Sequence, residues 1–330
     1  MRLHVQNYAE ESLFAVTPAQ VAAARARAPD LTGLEVSFAD DDAGFALAMR
    51  DAEVLLTFTK VVKARFQPGA LPALAPKLKV IACTSAGLDR LAPFDWLPPE
   101  VLLLNNRGTH AAKAGEFAIM ALLMLASRMP RIASNQRAER WESLFGSVLA
   151  GRTVCVVGLG TMGAAAARRA REFGMRVIGV RTTPAPHPDC DEVHATASLD
   201  AVLPRAEFLL LACPLTPATQ GLMDRRRIGL LPQGAKLVNM ARGAVWDQDA
   251  VCDALEAGAL DGAVTDVAVP EPLPAGHRLW RTAGMMVVPH VSSDDPQTYN
   301  DRTLDILFQN LLALRAGKPA PNRVDPARGY

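Results

Sequence analysis

Val154-Cys155-Val156-Val157-Gly158-Leu159-Gly160-Thr161-Met162-Gly163 runs from an apolar, strand-type segment into three glycines at G-x-G-x-x-G spacing, and an alanine-rich segment follows. The pattern predicts a strand, a tight turn and a helix N-terminus. Gly158 permits the turn, Gly160 lets the backbone approach a pyrophosphate, and Gly163 lets helix and strand pack closely. Unpaired N–H groups at the helix start favour phosphate charge. Such glycines also mark ordinary tight turns. Here the flanking strand and helix are those a nucleotide site requires, so a nucleotide is the expected ligand.

At 330 residues the chain is long for one core, and two domains are expected. Basic and acidic residues nearly cancel, 35 against 34, which gives no reason to expect nucleic acid or an anionic membrane as a partner. Cys83, Cys155, Cys190, Cys213 and Cys252 form no C-x-x-C pair, and three lie in or beside apolar runs. Buried free thiols in a reducing compartment follow, with no metal site. The N-terminal Met-Arg-Leu-His-Val-Gln lacks the apolar core of a signal peptide. The apolar stretch from Phe117 to Ala126 falls short of the ~20 residues a bilayer span needs. A soluble cytoplasmic protein is expected.

Short strands alternate with helices along the chain. Expected strands before the glycine turn are residues 3–6, 34–38, 52–58, 78–83 and 101–105, with a helix over 18–28. A helix over 111–129 carries Phe117, Ile119, Met120, Leu122, Leu123 and Leu125 on more than one stripe, so burial on several sides is expected. After the turn, strands are expected at 176–180, 208–212, 235–239, 263–267 and 285–289, with helices at 164–173, 199–203 and 248–257 and a last one over 294–316. Near-continuous apolar strands alternating with helices imply parallel sheets covered on both faces.

Three polar clusters follow the late strands: Asn239-Met240-Ala241-Arg242-Gly243, Asp266 with Glu271-Pro272-Leu273-Pro274, and Pro289-His290. Ligands of open α/β sheets bind at such strand ends. Arginine offers a bidentate fork to a carboxylate, and histidine is the side chain that titrates nearest neutrality. Singly, Arg242 also fits a solvated turn, Glu271 a rim charge and His290 a satisfied core residue. Ser85-Ala86-Gly87, after an early strand, is a small-residue turn that could be only a turn or could offer N–H groups to an anion.

Taken together and in order, these motifs resemble the D-2-hydroxyacid dehydrogenases, an NAD(P)-dependent family that includes phosphoglycerate, glyoxylate/hydroxypyruvate and D-lactate dehydrogenases. The resemblance covers nearly the whole chain. It rests on Ser85–Asp89, Ala114-Gly115-Glu116-Phe117, the glycine turn, Cys213–Thr219, Asn239–Gly243, Glu271–Pro274, His277–Trp280 and Pro289-His290. It implies two Rossmann-like doubly wound parallel-sheet α/β domains. A nucleotide domain, 104–288, would be inserted into a discontinuous substrate domain, 1–103 with 289–330.

The resemblance also implies roles. Arg242 would hold the substrate carboxylate and polarise the 2-keto oxygen. His290 would give that oxygen its proton, and Glu271 would hydrogen-bond His290 and fix the ring. Ser85, Ala86 and Gly87 would supply donors to the carboxylate. The cofactor would meet Gly158, Leu159, Gly160, Thr161, Met162, Gly163, Arg181, Thr182, Thr183, Cys213, Pro214, Thr219, Met240, Ala241, Asp266 and His290, with Asp266 on the nicotinamide carboxamide and Pro214 and Thr219 on the adenosine side. A 2-keto acid reductase of the glyoxylate/hydroxypyruvate type follows, and relatives imply a homodimer built around residues 111–141.

Two positions depart from the family pattern. NAD enzymes typically place Asp or Glu about 20 residues beyond the glycines, on the ribose 2′-OH. This chain has Arg181-Thr182-Thr183, suited to a 2′-phosphate, so NADP(H) is expected over NAD(H). Ala268 stands where relatives often carry an aromatic, two residues after Asp266. His4, His110, His187, His194 and His277 have no matched role and are expected at the surface or in loops. Some relatives are nucleotide-sensing corepressors, which a turnover assay would separate from an enzyme. Formate enzymes of this fold have Gln where Glu271 stands, which argues against that chemistry.

Overall fold

The computed structural model describes residues 1–329. The chain divides into two units, Met1–His110 with Asp295–Tyr330, and Ala111–Asp294. His290 is therefore grouped with the second unit.

The first unit holds β1 (Arg2–Gln6), β2 (Glu35–Ala39), β3 (Val54–Thr57), β4 (Val80–Cys83) and β5 (Leu102–Leu104). They pair in the order β2-β1-β3-β4-β5, every pair parallel. This is the doubly wound order in which the chain reverses direction between β1 and β3. Both faces are covered, because β3 and β4 are buried at every position. One face packs on Phe45, Val62, Phe66 and Trp96, the other on Val21, Leu304, Leu307 and Phe308. The last three belong to the C-terminal helix Tyr299–Arg315.

The second unit adds β6 (Thr153–Val157), β7 (Arg176–Arg181), β8 (Glu192–Ala195), β9 (Phe208–Leu211), β10 (Ala235–Asn239), β11 (Leu260–Thr265) and β12 (Met285–Val287). The order is β12-β11-β10-β9-β6-β7-β8, again all parallel. The chain goes outward from β6 through β7 to β8, then crosses back to β9 on the other side. The switch point lies beside β6, at the strand ends that carry the glycine turn.

Three expectations change. The helix expected over 111–129 ends at Ala126; Arg128 is left-handed (φ 58°) and a second helix, Met129–Arg137, leaves at 66°. Pro130 sits in its first turn, where a missing N–H costs nothing. Burial on several sides also does not hold within this chain: Phe117, Leu122 and Leu125 are in the core, whereas Met120 and Leu123 are exposed. Among the described residues no single helix is long and apolar enough to cross a membrane.

His4 was expected at the surface or in a loop. It is buried in β1 (1% exposed), its ring nitrogens bonded to Ser37 Oγ at 2.9 Å and Gln6 Oε1 at 3.0 Å. A strand covered on both faces leaves no outward position, so the polar ring carries its partners inward. The strand β8 has no counterpart among the expected elements. The cysteines are free, and all but Cys190 are buried. Burial pushes the Cys83 and Cys155 thiols up to about 12, far from a reactive thiolate.

Candidate active site

The glycine turn shows three different needs for glycine. Gly158 has φ 96°, and a Cβ there would lie 2.6 Å from the Cys213 backbone. At Gly163 a Cβ would stand 1.7 Å from the Gly158 carbonyl oxygen, so helix and strand touch backbone to backbone. A Cβ on Gly160 would meet nothing within 4 Å. Gly160 caps the helix Thr161–Glu172 without a side-chain bond, which leaves first-turn N–H groups to an outside acceptor. Open backbone beside uncapped donors fits a diphosphate. Leu159 is buried at the turn and Met162 partly buried behind it.

Arg181 ends β7, half-exposed, and its side chain makes no ion pair or hydrogen bond with a described residue; Thr182 and Thr183 beside it are exposed. Past β9, Cys213 is buried and Pro214 exposed. Thr219 turns inward: its hydroxyl donates to the Pro214 carbonyl at 2.6 Å and accepts from the Thr216 N–H at 2.8 Å. It shapes the loop that presents Pro214.

Arg242 follows β10. Asn239 braces the turn between them, accepting from the Ala241 N–H at 3.0 Å and donating to the Arg242 carbonyl at 3.2 Å. Met240 and Ala241 are buried, and the half-buried Arg242 donates from Nη1 to the Ala241 carbonyl at 2.8 Å. A Cβ on Gly243 would fall 2.3 Å from the Ala268 carbonyl carbon, so this turn packs directly on the segment that leads to Glu271.

Glu271 and His290, 19 residues apart, meet. His290 Nδ1 donates to Glu271 Oε2 at 3.0 Å, while Oε1 accepts from the Ala268 N–H at 3.0 Å. The carboxylate is thus tied to its own loop and holds one ring nitrogen. Nε2 has no partner among the described residues, and the side chain is partly open to solvent. His290 itself is left-handed, φ 55°. The arrangement leaves one imidazole nitrogen oriented and available for proton transfer.

Asp266 follows β11 and is buried. Its Oδ1 accepts from the Val291 N–H at 2.9 Å and the Ser292 N–H at 3.0 Å; Oδ2 accepts from Ser292 Oγ at 2.5 Å. A carboxylate offers about four acceptor sites, so one remains, on Oδ2. Burial pushes the Asp266 carboxyl above the usual range, opposed by the Ser292 bond and the nearby His290.

In the first unit, Ser85-Ala86-Gly87 follows β4. Asn106 donates from its N–H to the Ser85 carbonyl at 3.0 Å and from Nδ2 to the Thr84 carbonyl at 2.8 Å; Tyr299 Oη donates to the same Thr84 carbonyl at 2.5 Å. Those bonds fix how the chain enters the loop. Asn106, Tyr299 and Ser292 are absent from the expected site residues. They lie outside the motifs: within the first unit only tertiary contact connects Asn106 and Tyr299 to the Ser85 loop, and within the second only tertiary contact connects Ser292 to Asp266.

Residues 119–292 match the family described as D-isomer specific 2-hydroxyacid dehydrogenase, NAD binding domain. Among curated proteins, the chain is 31% identical to human glyoxylate reductase/hydroxypyruvate reductase over 77% of its own length and 79% of that protein's. It is 32% identical to D-3-phosphoglycerate dehydrogenase of Mycobacterium bovis over 78% of its own length, but spans only 49% of that longer protein. A solved D-isomer specific 2-hydroxyacid dehydrogenase from Xanthobacter autotrophicus Py2, in complex with NADPH and MES, superposes with TM-score 0.81 at 29% identity, over 100% of this chain and 99% of that one. With a match over more than half its length and a curated relative above 30% identity, the chain belongs to the D-isomer specific 2-hydroxyacid dehydrogenase family.

Proposed function

We propose that the chain reduces a small 2-keto acid of the glyoxylate or hydroxypyruvate kind to the D-2-hydroxy acid, with NADPH in preference to NADH. The observation that carries the reading is the His290–Glu271 pair, one ring nitrogen held at 3.0 Å and the other left to a substrate. The reduced nicotinamide supplies the hydride when bound. His290 Nε2 gives the proton to the 2-keto oxygen, and Arg242 binds the carboxylate and draws charge from the carbonyl. Glu271 keeps the ring in the tautomer that protonates Nδ1 and stabilises the charged imidazole before transfer. The human relative's name supports the substrate class.

Arg181 carries the cofactor preference. It is a cation without a partner among the described residues, at the strand end where a ribose would lie, flanked by two exposed hydroxyls. The relative bound to NADPH supports the same reading. We also propose a homodimer, because the second unit exposes the large apolar side chains of Trp141 and Phe145.

The test is steady-state turnover over a panel of 2-keto acids with each cofactor, beside His290→Ala. The reading expects a higher kcat/KM with NADPH, and a loss of at least about 100-fold in kcat for His290→Ala, the scale general acids contribute. Equal efficiency with NADH removes the role of Arg181, and near wild-type rates for His290→Ala remove the acid. No turnover on any 2-keto acid, with nucleotide binding intact, would favour a sensor of the corepressor kind.

A further inference from the structure

Ser292 is buried, 3% exposed, two residues beyond His290, and the proposed chemistry makes no use of its hydroxyl. That hydroxyl donates to Asp266 Oδ2 at 2.5 Å, while the N–H groups of Val291 and Ser292 close on Oδ1 at 2.9 and 3.0 Å. Asp266 is equally buried, 3% exposed. Val291 and Ser292, the two residues that follow His290, are thus held by one carboxylate.

The grip matters because of what the turn carries. His290 lies at φ 55°, a region that residues bearing a Cβ leave unless surrounding bonds hold them there. Among the described residues one local backbone bond supports it, from its N–H to the Val288 carbonyl at 3.0 Å. Glu271 fixes the ring from the side but does not set the backbone on which the ring stands.

We infer that Ser292 is a positioning residue for proton transfer: through its hydroxyl and N–H on Asp266 it holds the left-handed turn that presents His290 to Glu271. The inference rests on the acid role proposed for His290. Without the hydroxyl, the buried Asp266 Oδ2 loses the donor it has among the described residues, and the carboxylate gains freedom to turn away from the two N–H groups. The turn then samples other backbone geometries, and Nε2 is in line with its acceptor less of the time. Apart from the nicotinamide carboxamide contact expected of Asp266, substrate and nucleotide contacts are untouched, so the loss belongs chiefly in kcat.

The experiment compares Ser292→Ala, Ser292→Gly and Ser292→Thr with the wild-type enzyme in the intact chain, and runs His290→Ala alongside. Measured quantities are kcat and KM for the best 2-keto acid, NADPH dissociation by nucleotide fluorescence, and the thermal midpoint. Ser292→Ala should lower kcat about 10-fold, less than the about 100-fold that a misplaced group can cost, with KM and NADPH affinity within about two-fold. Ser292→Thr, which keeps a hydroxyl, should recover most of the rate. Ser292→Gly removes the hydroxyl without adding bulk and should repeat the alanine result. Wild-type kcat in a folded Ser292→Ala or Ser292→Gly overturns the inference. So does a loss that threonine fails to relieve, or one that appears in NADPH affinity instead. If His290→Ala is inactive while Ser292→Ala is normal, only the positioning role falls; if His290→Ala turns over normally, both fall.

Discussion

A single buried ring shows how one residue ties stability to pH. His4 sits in β1 between Ser37 and Gln6, and desolvation lowers its pKa below the ordinary 6.5 despite the two bonds that favour the charged form. As pH falls below the unfolded value, the unfolded chain takes a proton that the folded chain refuses, so stability is present above that point and declines on acidification. The thermal midpoint should therefore drop between about pH 7.5 and about pH 5.5, and His4→Gln, which hydrogen-bonds without titrating, should flatten the slope. An unchanged slope would assign the acid sensitivity elsewhere. At this scale the sequence was informative where chemistry forces a residue type. Gly158 and Gly163 meet the needs read from their spacing, Gly160 leaves open space where a Cβ would stand, and Glu271 does reach His290. It was uninformative where burial decides, since nothing near His4 in the chain marks its strand as covered on both faces.

At the scale of elements, the break between helices Ala111–Ala126 and Met129–Arg137 has its own anchor. Asp261 of β11, 9% exposed, receives Arg128 at 2.7 Å, Lys236 at 3.3 Å and Arg131 at 3.7 Å. Arg131 also donates to the Asp261, Leu255 and Leu260 carbonyls. One carboxylate thus compensates three cations and holds the left-handed Arg128 against the sheet. Asp261→Ala would leave the cations facing one another, and urea unfolding should show a loss of about 3 kcal/mol, the scale for removing one partner of a buried pair. A loss within experimental error would mean the bend is held by packing alone. The bend was illegible because apolar residues continue in register through Met129, and the carboxylate that stops the helix lies 133 residues downstream of Arg128. Strand β8 escaped for a different reason. It is a half-buried edge strand, Glu192-Val193-His194-Ala195, with no apolar run to announce it. The central strands, apolar on both faces, were plain.

At the scale of the molecule, the second unit leaves apolar surface uncovered. Trp141 is 100% exposed and Phe145 86%, on an extended segment that Ser147 ties to the Ala126 carbonyl at 2.9 Å. Met120, Leu123 and Met129 are exposed on the adjoining helices. Large exposed apolar groups on an ordered segment mark an association surface, and a second copy of the chain is the proposed occupant. Sedimentation should give a dimer, and Trp141→Glu combined with Phe145→Glu should shift it to monomer at micromolar concentration; a wild-type monomer would dismiss the dimer. Both sheets could be anticipated from the alternation of strands and helices. Where each strand lies in its sheet could not, because order depends on crossovers that leave no local mark.

The C-terminal helix carries one more consequence. Leu304, Leu307, Phe308 and Leu311 complete one face of the sheet formed by residues near the N-terminus. During synthesis, residues 1–110 leave the ribosome long before that helix exists. Until then one face of their sheet lacks that cover, while the continuous segment 111–294 holds every strand of its own sheet. The expected consequence is that folding order reverses translation order, with the part made earliest exposed longest to aggregation and to chaperones.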